Sequence, residues 1–376
     1  MTGNRALLER FFREGRIRVE RSALFDTPPP TLAPDLDFGR VRGMMLGLAI
    51  GDALGNTSES LLPAERRVLI GEVRDYLPNP RAGGRALGLP SDDTQLAFWT
   101  LERMVEDRGF VPERVARRFA SEPLFGLGQT VAAFLNAFHA GRPWEECGQP
   151  SAGNGSLMRI APMVIPHLAS GTAELWVDTA LSGMITHNDP AAVSACLAFV
   201  NLLWLLLARR TPPAPEWWVE TYLRVARELE GEASYAPRGG AFRDYEGPLW
   251  RFVEGYVPRA FDQGRPVVEA SDAWLSGAYL LETVPSVLYI LMRHGDDPEE
   301  AVVRAVNDTV DNDTVGAIVG AAVGALHGAR ALPERWRKGL LGRTGADDDG
   351  RVQRLLDRAE QVFWTDAVGP AAGPVR

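Results

Sequence analysis

Cysteine is almost missing from this chain. Its 376 residues hold two, Cys147 and Cys196. Two isolated thiols form neither a disulfide framework nor a zinc cluster, so both are expected as buried free thiols. Histidine is also scarce, at five. His187 has no second histidine near it in sequence, which disfavours a histidine-based metal site. Positive charge is in deficit: 40 Lys and Arg stand against 49 Asp and Glu, a net −9. General nucleic-acid binding, which neutralises phosphates with cations, is therefore not expected. A locally held anionic ligand remains compatible. Long apolar runs are lacking too. The stretch around Leu203 to Leu207 ends at Arg209 and Arg210, short of the roughly 20 residues a span needs. The N-terminus, MTGNRALLERFFREGRIRVERSALF, is too charged for the apolar part of a signal peptide. A cytoplasmic protein without a membrane partner is expected. Strand signals are sparse, with one short candidate at VLIGEV, and no repeat of a few tens of residues suggests a solenoid.

What the chain does have is helical periodicity. VRGMMLGLAIGDALG, DDTQLAFWTLERMVED, GQTVAAFLNAFHAG, PAAVSACLAFVNLLWLLLARR and PEWWVETYLRVARELEG place apolar residues three and four apart. AWLSGAYLLETVPSVLYILMRHG and DPEEAVVRAVN continue the pattern. With 45% hydrophobic residues the core is sizeable, and the expected fold class is all-α. Residues 1–38 read as an arm, with a basic amphipathic helix over 5–24 carrying Leu7, Leu8, Phe11 and Phe12, then the breaker DTPPPTLAPDLD. The main domain is expected over 39–370. The Trp- and Pro-rich stretch from TPPAPEWW to VEGYVPRAFD reads as a peripheral helical insertion, with Trp217, Trp218 and Trp250 as packing residues.

Two helices carry glycine at every fourth position: Gly43, Gly47, Gly51 and Gly55, then Gly316, Gly320, Gly324 and Gly328. Each interior glycine costs about 0.5–1 kcal/mol relative to alanine. Close approach of another helix axis would compensate, so both helices are expected at the centre, with packing against each other as one arrangement.

Acidic residues gather at two expected helix starts. Ser91, Asp92, Asp93 and Thr94 open one; Asp311, Asp313 and Thr314 open the other, preceded by Asp308. Capping is the simpler reading of each cluster alone, because such side chains accept from free backbone N–H groups. Together they match the oxygen-rich donor set of hard divalent cations. Four carboxylates without interleaved Lys or Arg repel one another unless cations sit among them. GNGSLMRIAP, from Gly153 to Pro162, exposes backbone N–H groups around Asn154, with a helix expected just after, and suits a phosphate. FGLGQT, with Gly126 and Gly128, is a second such loop, and ITHNDP sets His187 before a helix opening at Pro190.

In this order, GLAIGDALGNTSE, SDDT, GLGQT, GNGSLMRIAP, TH, DNDTVGAIVGAAVGALHG and LPERW resemble the ADP-ribosylglycohydrolase family over Val41 to Trp336. That family includes dinitrogenase-reductase-activating glycohydrolases and ADP-ribosyl-arginine hydrolases. The resemblance implies an all-α orthogonal bundle with a dinuclear Mg²⁺ centre between helix N-termini, sometimes loaded with Mn²⁺. Ser91, Asp92 and Asp93 would serve one side of it, and Asp311, Asp313 and Thr314 the other. Glu59 matches the acidic residue that closes a loop over the site; with Asp92, Asp93 and Asp311 it makes up the candidate catalytic set. Ser151, Asn154 and Gly155 would hold the pyrophosphate. Gly153, Ser156 and Met158 lie in the same loop, and Gly126, Gly128 and His187 come near the nucleotide. Four positions depart from the family pattern. Ser91 replaces the usual Thr, Thr309 and Val310 stand where two glycines are common, and Asn312 sits where a small hydroxyl residue is frequent. The implied reaction is hydrolysis of the glycosidic bond between ADP-ribose and an acceptor, with ADP-ribosyl-arginine on protein, or a small-molecule acceptor, leading. An O-linked substrate (serine or nucleic acid), a silent ADP-ribose-binding relative and a helical metal phosphohydrolase are the alternatives.

Overall fold

A computed structural model describes residues 3–33, 36–59, 61–345 and 350–365. The end of the expected main domain, 366–370, lies outside the described residues. Among the described residues there are sixteen α-helices. α1 (Gly3–Glu14) forms the arm; α2 (Phe38–Gly55), α3 (Pro63–Leu69), α4 (Asp92–Asp107), α5 (Pro112–Phe119) and α6 (Gln129–His139) follow. α7 (Glu174–Met184), α8 (Pro190–Ala208), α9 (Glu216–Glu230), α10 (Leu249–Asp262) and α11 (Val267–Ala273) lead into the last group. That group is α12 (Leu280–His294), α13 (Pro298–Asp308), α14 (Asn312–His327), α15 (Glu334–Gly339) and α16 (Arg351–Glu360). The all-α expectation holds, with one small addition. Pro78–Asn79 pairs antiparallel with Arg85–Ala86 in a two-stranded ribbon. VLIGEV is not a strand: Val68 and Leu69 end α3, and Gly71 turns the chain at φ +89°.

The glycine stripes of α2 and α14 face each other, antiparallel. A Cβ on Gly43 would sit 2.5 Å from the carbonyl oxygen of Gly324; one on Gly316 would sit 2.8 Å from that of Gly51. Gly47 meets Gly320 in the same way. Backbone therefore packs on backbone, which recovers dispersion energy that alanine would forfeit to clash. The seam also sets the site. At its end a Cβ on Gly55 would come 2.5 Å from Cα of Asp313. The exit of α2 and the entry of α14 are thus adjacent.

Asp189 caps α8, accepting from Ala191 N–H (3.0 Å) and Ala192 N–H (3.3 Å), as ITHNDP leads one to expect. The apolar stretch of α8 is longer than the run at Leu203 to Leu207 suggests. The helix is long and apolar enough to cross a membrane, but 89% of its apolar window is buried inside the protein, as in a core helix. The arm helix stops at Glu14 instead of reaching residue 24, because Gly15 turns at φ +63°. α1 lies on the body through buried Leu8 and Phe11 and through Asn4, which donates to Asp178 at 2.7 Å. The chain behind it is held by Trp176 and Trp204, which donate to the carbonyls of Thr27 and Pro30. Trp218 is buried in the core, while Trp217 and Trp250 are half-buried.

Glu230 links α9 to α10 by accepting from the N–H groups of Leu249 and Trp250. Burial pushes its carboxyl up to about 8, against backbone bonds that pull it down. A carboxyl raised on folding stabilises below its unfolded value, and that stability is lost as pH rises through the folded one. Between about pH 4.5 and 8 Glu230 is expected to withdraw on the order of 2–4 kcal/mol. Urea midpoints measured across this range should fall less steeply in Glu230→Gln than in the native chain.

Candidate active site

The acids at the start of α4 are not its caps. Ser91 holds the N-cap position in extended conformation, and its side chain caps nothing. The capping group is Asp52, from the last turn of α2. Asp52 is fully buried and accepts from Ser91 N–H (2.9 Å), Ser91 Oγ (2.7 Å), Thr94 N–H (3.1 Å) and Thr94 Oγ1, with Asn56 adding a further donor at 3.0 Å. One carboxylate satisfies the free donors of a neighbouring helix. Asp92 and Asp93 are thereby released from capping.

The start of α14 follows the same logic. Asp311 holds the N-cap position but makes no side-chain cap; its Oδ2 accepts instead from Asn154 Nδ2 at 2.5 Å. Asp311 N–H donates to the carbonyl of Ser276 at 3.0 Å, and Val310 N–H to Ser276 Oγ at 3.1 Å. Leu275 and Ser276 both adopt left-handed backbone, φ 76° and 46°, which is strained for residues with side chains. Val310 and Asp311 are thus held from outside by this strained turn. Asn312 accounts for its own position. Its Nδ2 lies 3.1 Å from each of Gly55 O, Ser58 Oγ and Val306 O, tying α14 to the loop that carries Glu59. Arg66, fully buried, donates to Ser58 and to the carbonyls of Leu61, Asn307 and Thr309. It clamps the Glu59 loop to the α13–α14 junction.

These supports converge five carboxylates on one cavity of about 510 Å³, lined by Glu59, Asp92, Asp93, Asp311 and Asp313. Carboxylate oxygens of Glu59, Asp311 and Asp313 all lie within 4.8 Å of one another. Each acid is harder to ionise than usual. Burial, then Asp52, raises Asp92 to about 7; burial, despite the Asn154 bond, raises Asp311 to about 6. Asp93 and Asp313 are pushed well above the carboxylate range by burial and by each other's neighbours. Glu59, exposed at the mouth, is raised by desolvation and by Asp52. Asp93 Oδ1 is buried without a hydrogen-bond partner among the described residues. A partnerless buried oxygen amid mutually repelling acids fits a hard divalent cation.

The far wall is neutral. Ser151, Gly153, Asn154, Gly155 and Met158 line it with His187. No α-helix follows GNG; the chain turns through Ser156 to Arg159 and enters a 3₁₀ segment at Ala161–His167, which carries Pro162 and Pro166. Gly155 leaves room for the His187 ring, since a Cβ there would lie 2.9 Å from Cε1. Gly126 leaves room for the Asp92 carboxylate, which a Cβ would displace. Burial, then the charge of Arg159, pushes His187 down to about 3, so the imidazole is neutral. Thr186 Oγ1 accepts from Arg159 Nη2 at 3.0 Å and lies 2.9 Å from His187 Nδ1. Nδ1 is thus engaged by Thr186, which leaves Nε2 as the ring nitrogen for a ligand. His187→Ala is expected to raise KM about tenfold, the cost of one lost hydrogen bond. The native rate profile between pH 5 and 8 should show no limb from this histidine.

All the proposed site residues meet here except Ser156 and Ser91. Ser156 is buried beneath the loop and does not line the cavity. Ser91 gives its hydroxyl to Asp52, 3.4 Å from Asp93 Oδ2. Thr314 and Gly128 line the cavity. Four contributors escaped sequence reasoning: Asp52, Arg66, Arg238 and Tyr279. Asp52 had a signal, a lone acid in an otherwise apolar glycine-striped helix. Arg238 had none. It forks onto buried Glu282 (2.9 and 2.7 Å) and lies 5.1 Å over the Tyr279 ring. Among the described residues that line the cavity it alone is cationic.

The profile of the family described as ADP-ribosylglycohydrolase matches residues 33–367. An ADP-ribosylarginine hydrolase, Tri1 of Pseudomonas putida, is 26% identical over 353 residues, covering 90% of this chain and 83% of its own. The ADP-ribosyl-[dinitrogen reductase] glycohydrolase of Rhodospirillum rubrum is 26% identical over 330 residues, covering 85% and 93%. ADP-ribosylhydrolase ARH3 of Xenopus tropicalis is 24% identical over 344 residues, covering 84% and 95%. A solved structure described as an ADP-ribosylglycohydrolase-related protein complex superposes with a TM-score of 0.60 at 26% identity, covering 86% of this chain and 97% of that one.

Proposed function

Because this chain belongs to the ADP-ribosylglycohydrolase family and is an enzyme of it, we propose that it hydrolyses the bond between the distal ribose of ADP-ribose and an arginine side chain on protein. The observation that carries this reading is the five-carboxylate cavity with a neutral, glycine-rich far wall. Glu59, Asp92, Asp93, Asp311 and Asp313, with the hydroxyls of Ser91 and Thr314, would hold two Mg²⁺ (or Mn²⁺). Divalent ions there would neutralise the carboxylates and grip ribose hydroxyls.

The chain's own groups do the rest. Ser151, Gly153, Asn154 and Gly155 receive the pyrophosphate, with Met158 and Gly128 beside them. Arg238 offers the diphosphate the cavity's single positive charge. His187 presents Nε2. Cleavage builds oxocarbenium character at the anomeric carbon, which surrounding carboxylates favour. Water adds to that carbon, the bond to the acceptor breaks, and the acceptor leaves with a proton. Glu59, exposed where Asp93, Asp311 and Asp313 are buried and Asp92 is half-buried, is the carboxyl placed to move that proton. Asp92, Asp93 and Asp311 orient the water and the sugar. The two unpaired, buried thiols suit a reducing cytoplasm.

The 26% identity to Tri1, named an ADP-ribosylarginine hydrolase, favours an arginine acceptor. The ARH3 relatives, named ADP-ribosylhydrolases with no acceptor specified, keep an O-linked substrate as the second reading. Incubating the protein and Mg²⁺ with arginine-linked and serine-linked ADP-ribosyl peptides tests both, with free ADP-ribose read by chromatography. Release from arginine is expected. Release from serine alone replaces the first reading with the second, and release from neither ends both.

A further inference from the structure

A second cavity, of about 330 Å³, shares Glu59, Asp92 and Gly126 with the first. Its lining carries both signs of charge: Glu59 and Asp92 of the acidic cluster, and Arg81 and Arg343. Arg343 lies 4.0 Å over the Phe125 ring, which fixes the plane of its guanidinium. Arg81 is mounted on the turn of the two-stranded ribbon. Its N–H donates to Asn79 Oδ1 at 2.9 Å, and Asn79 Nδ2 reaches Thr57 Oγ1 at 3.3 Å. The turn is thereby pinned to the loop that carries Glu59. Arg81 is exposed, and among the described residues no carboxylate lies within ion-pair distance of it. An ADP-ribosyl group seated in the first cavity brings its anomeric carbon to the shared carboxylates. The acceptor then has this second cavity to enter.

We propose that this second cavity seats the peptide bearing the ADP-ribosylated side chain, and that Arg81 selects acidic residues flanking the modified position, with Arg343 adding to the positive charge of the lining. The proposal rests on the glycohydrolase reading above and adds the sequence class of its target. A guanidine acceptor meets Glu59 and Asp92; a carboxylate one or two residues away meets Arg81. The cavity's size suits a side chain with its backbone. A polynucleotide, at a net charge of −9, is disfavoured.

The test compares ADP-ribosyl-arginine peptides that differ only in Asp or Lys flanks, with ADP-ribosyl-arginine lacking any peptide as reference. The native chain should prefer the Asp-flanked peptide about fivefold in kcat/KM, carried by KM. Arg81→Glu should invert the ratio, and Arg343→Gln should reduce it. Because each ratio is taken within one protein, loss of folded material cancels. Equal rates for the two peptides, or an unchanged ratio in Arg81→Glu, overturn the assignment. So does faster release from an ADP-ribosylated, phosphate-terminated oligonucleotide than from the acidic peptide. Release from the bare reference with no preference among peptides sinks this inference alone. No release from any of these substrates sinks the glycohydrolase reading, and this one with it.

Discussion

Asp93→Asn is expected to lower Mg²⁺-dependent release of ADP-ribose by about 10²–10³-fold while raising the stability of the metal-free protein. The two effects share one cause. Asp93 is buried, one of its oxygens has no partner, and its carboxyl is pushed far up by burial and by Asp313, Asp52, Asp92 and Asp311. Without a cation this charge is a liability that asparagine removes, worth about 1–3 kcal/mol. With a cation it is a ligand that asparagine replaces poorly. Denaturation with chelator should therefore rank Asp93→Asn above the native chain. Denaturation in saturating Mg²⁺ should reverse the order, since a ligand at about 100 times its dissociation constant adds about 2.7 kcal/mol only where it binds. Asp313→Asn should behave alike. A variant that kept its turnover, or a native chain whose midpoint ignored Mg²⁺, would remove the divalent centre from this site.

Gly47→Ala is expected to cost more than 3 kcal/mol, or to prevent folding, through a single added methyl. Its Cβ would overlap the carbonyl of Gly320, and a backbone carbonyl in a helix cannot rotate aside. Most small-to-large core changes are absorbed by rotamer shifts; here there is no side chain to shift. Gly255→Ala is the control. Gly255 lies in α10, is exposed, and a Cβ there meets nothing within 4 Å. That change should stabilise by about 0.5–1 kcal/mol, because alanine loses less backbone entropy in a helix. Chemical denaturation of the two variants side by side checks the pair. A Gly47→Ala protein as stable as the native one would refute the backbone contact.

Period and punctuation made much of this legible from residues alone. The fourfold glycine spacing of α2 and α14 pointed to a close central contact, and Asp189 followed by Pro190 marked the start of α8. The acidic pairs at two helix starts marked the candidate centre. What remained hidden depends on contacts between distant parts of the chain. SDDT reads as a self-capped helix start, and only the fold reveals that Asp52 caps α4 across 39 to 42 positions. Leu275 and Ser276 look like the beginning of a helix running into α12. The donors of Val310 and Asp311 hold them in left-handed backbone, so α12 begins at Leu280. The residues after GNG look helical, yet Pro162 and Pro166 leave only a 3₁₀ segment. Arg238 and Arg81 sit in loops with no periodic signal, and their value lies in the charge they face.

The contact between α2 and α14 carries a further consequence, for how such a protein can change. Two side chains that touch can drift together, one shrinking as the other grows. A peptide group has no smaller version. A bulkier residue at Gly47 or Gly320 thus has no compensating exchange at the facing position, and one end of the seam abuts the acids of the candidate centre. Variation in substrate choice must then arise in the loops around Arg81, Arg238 and Arg343, which can be rewritten without moving the mount.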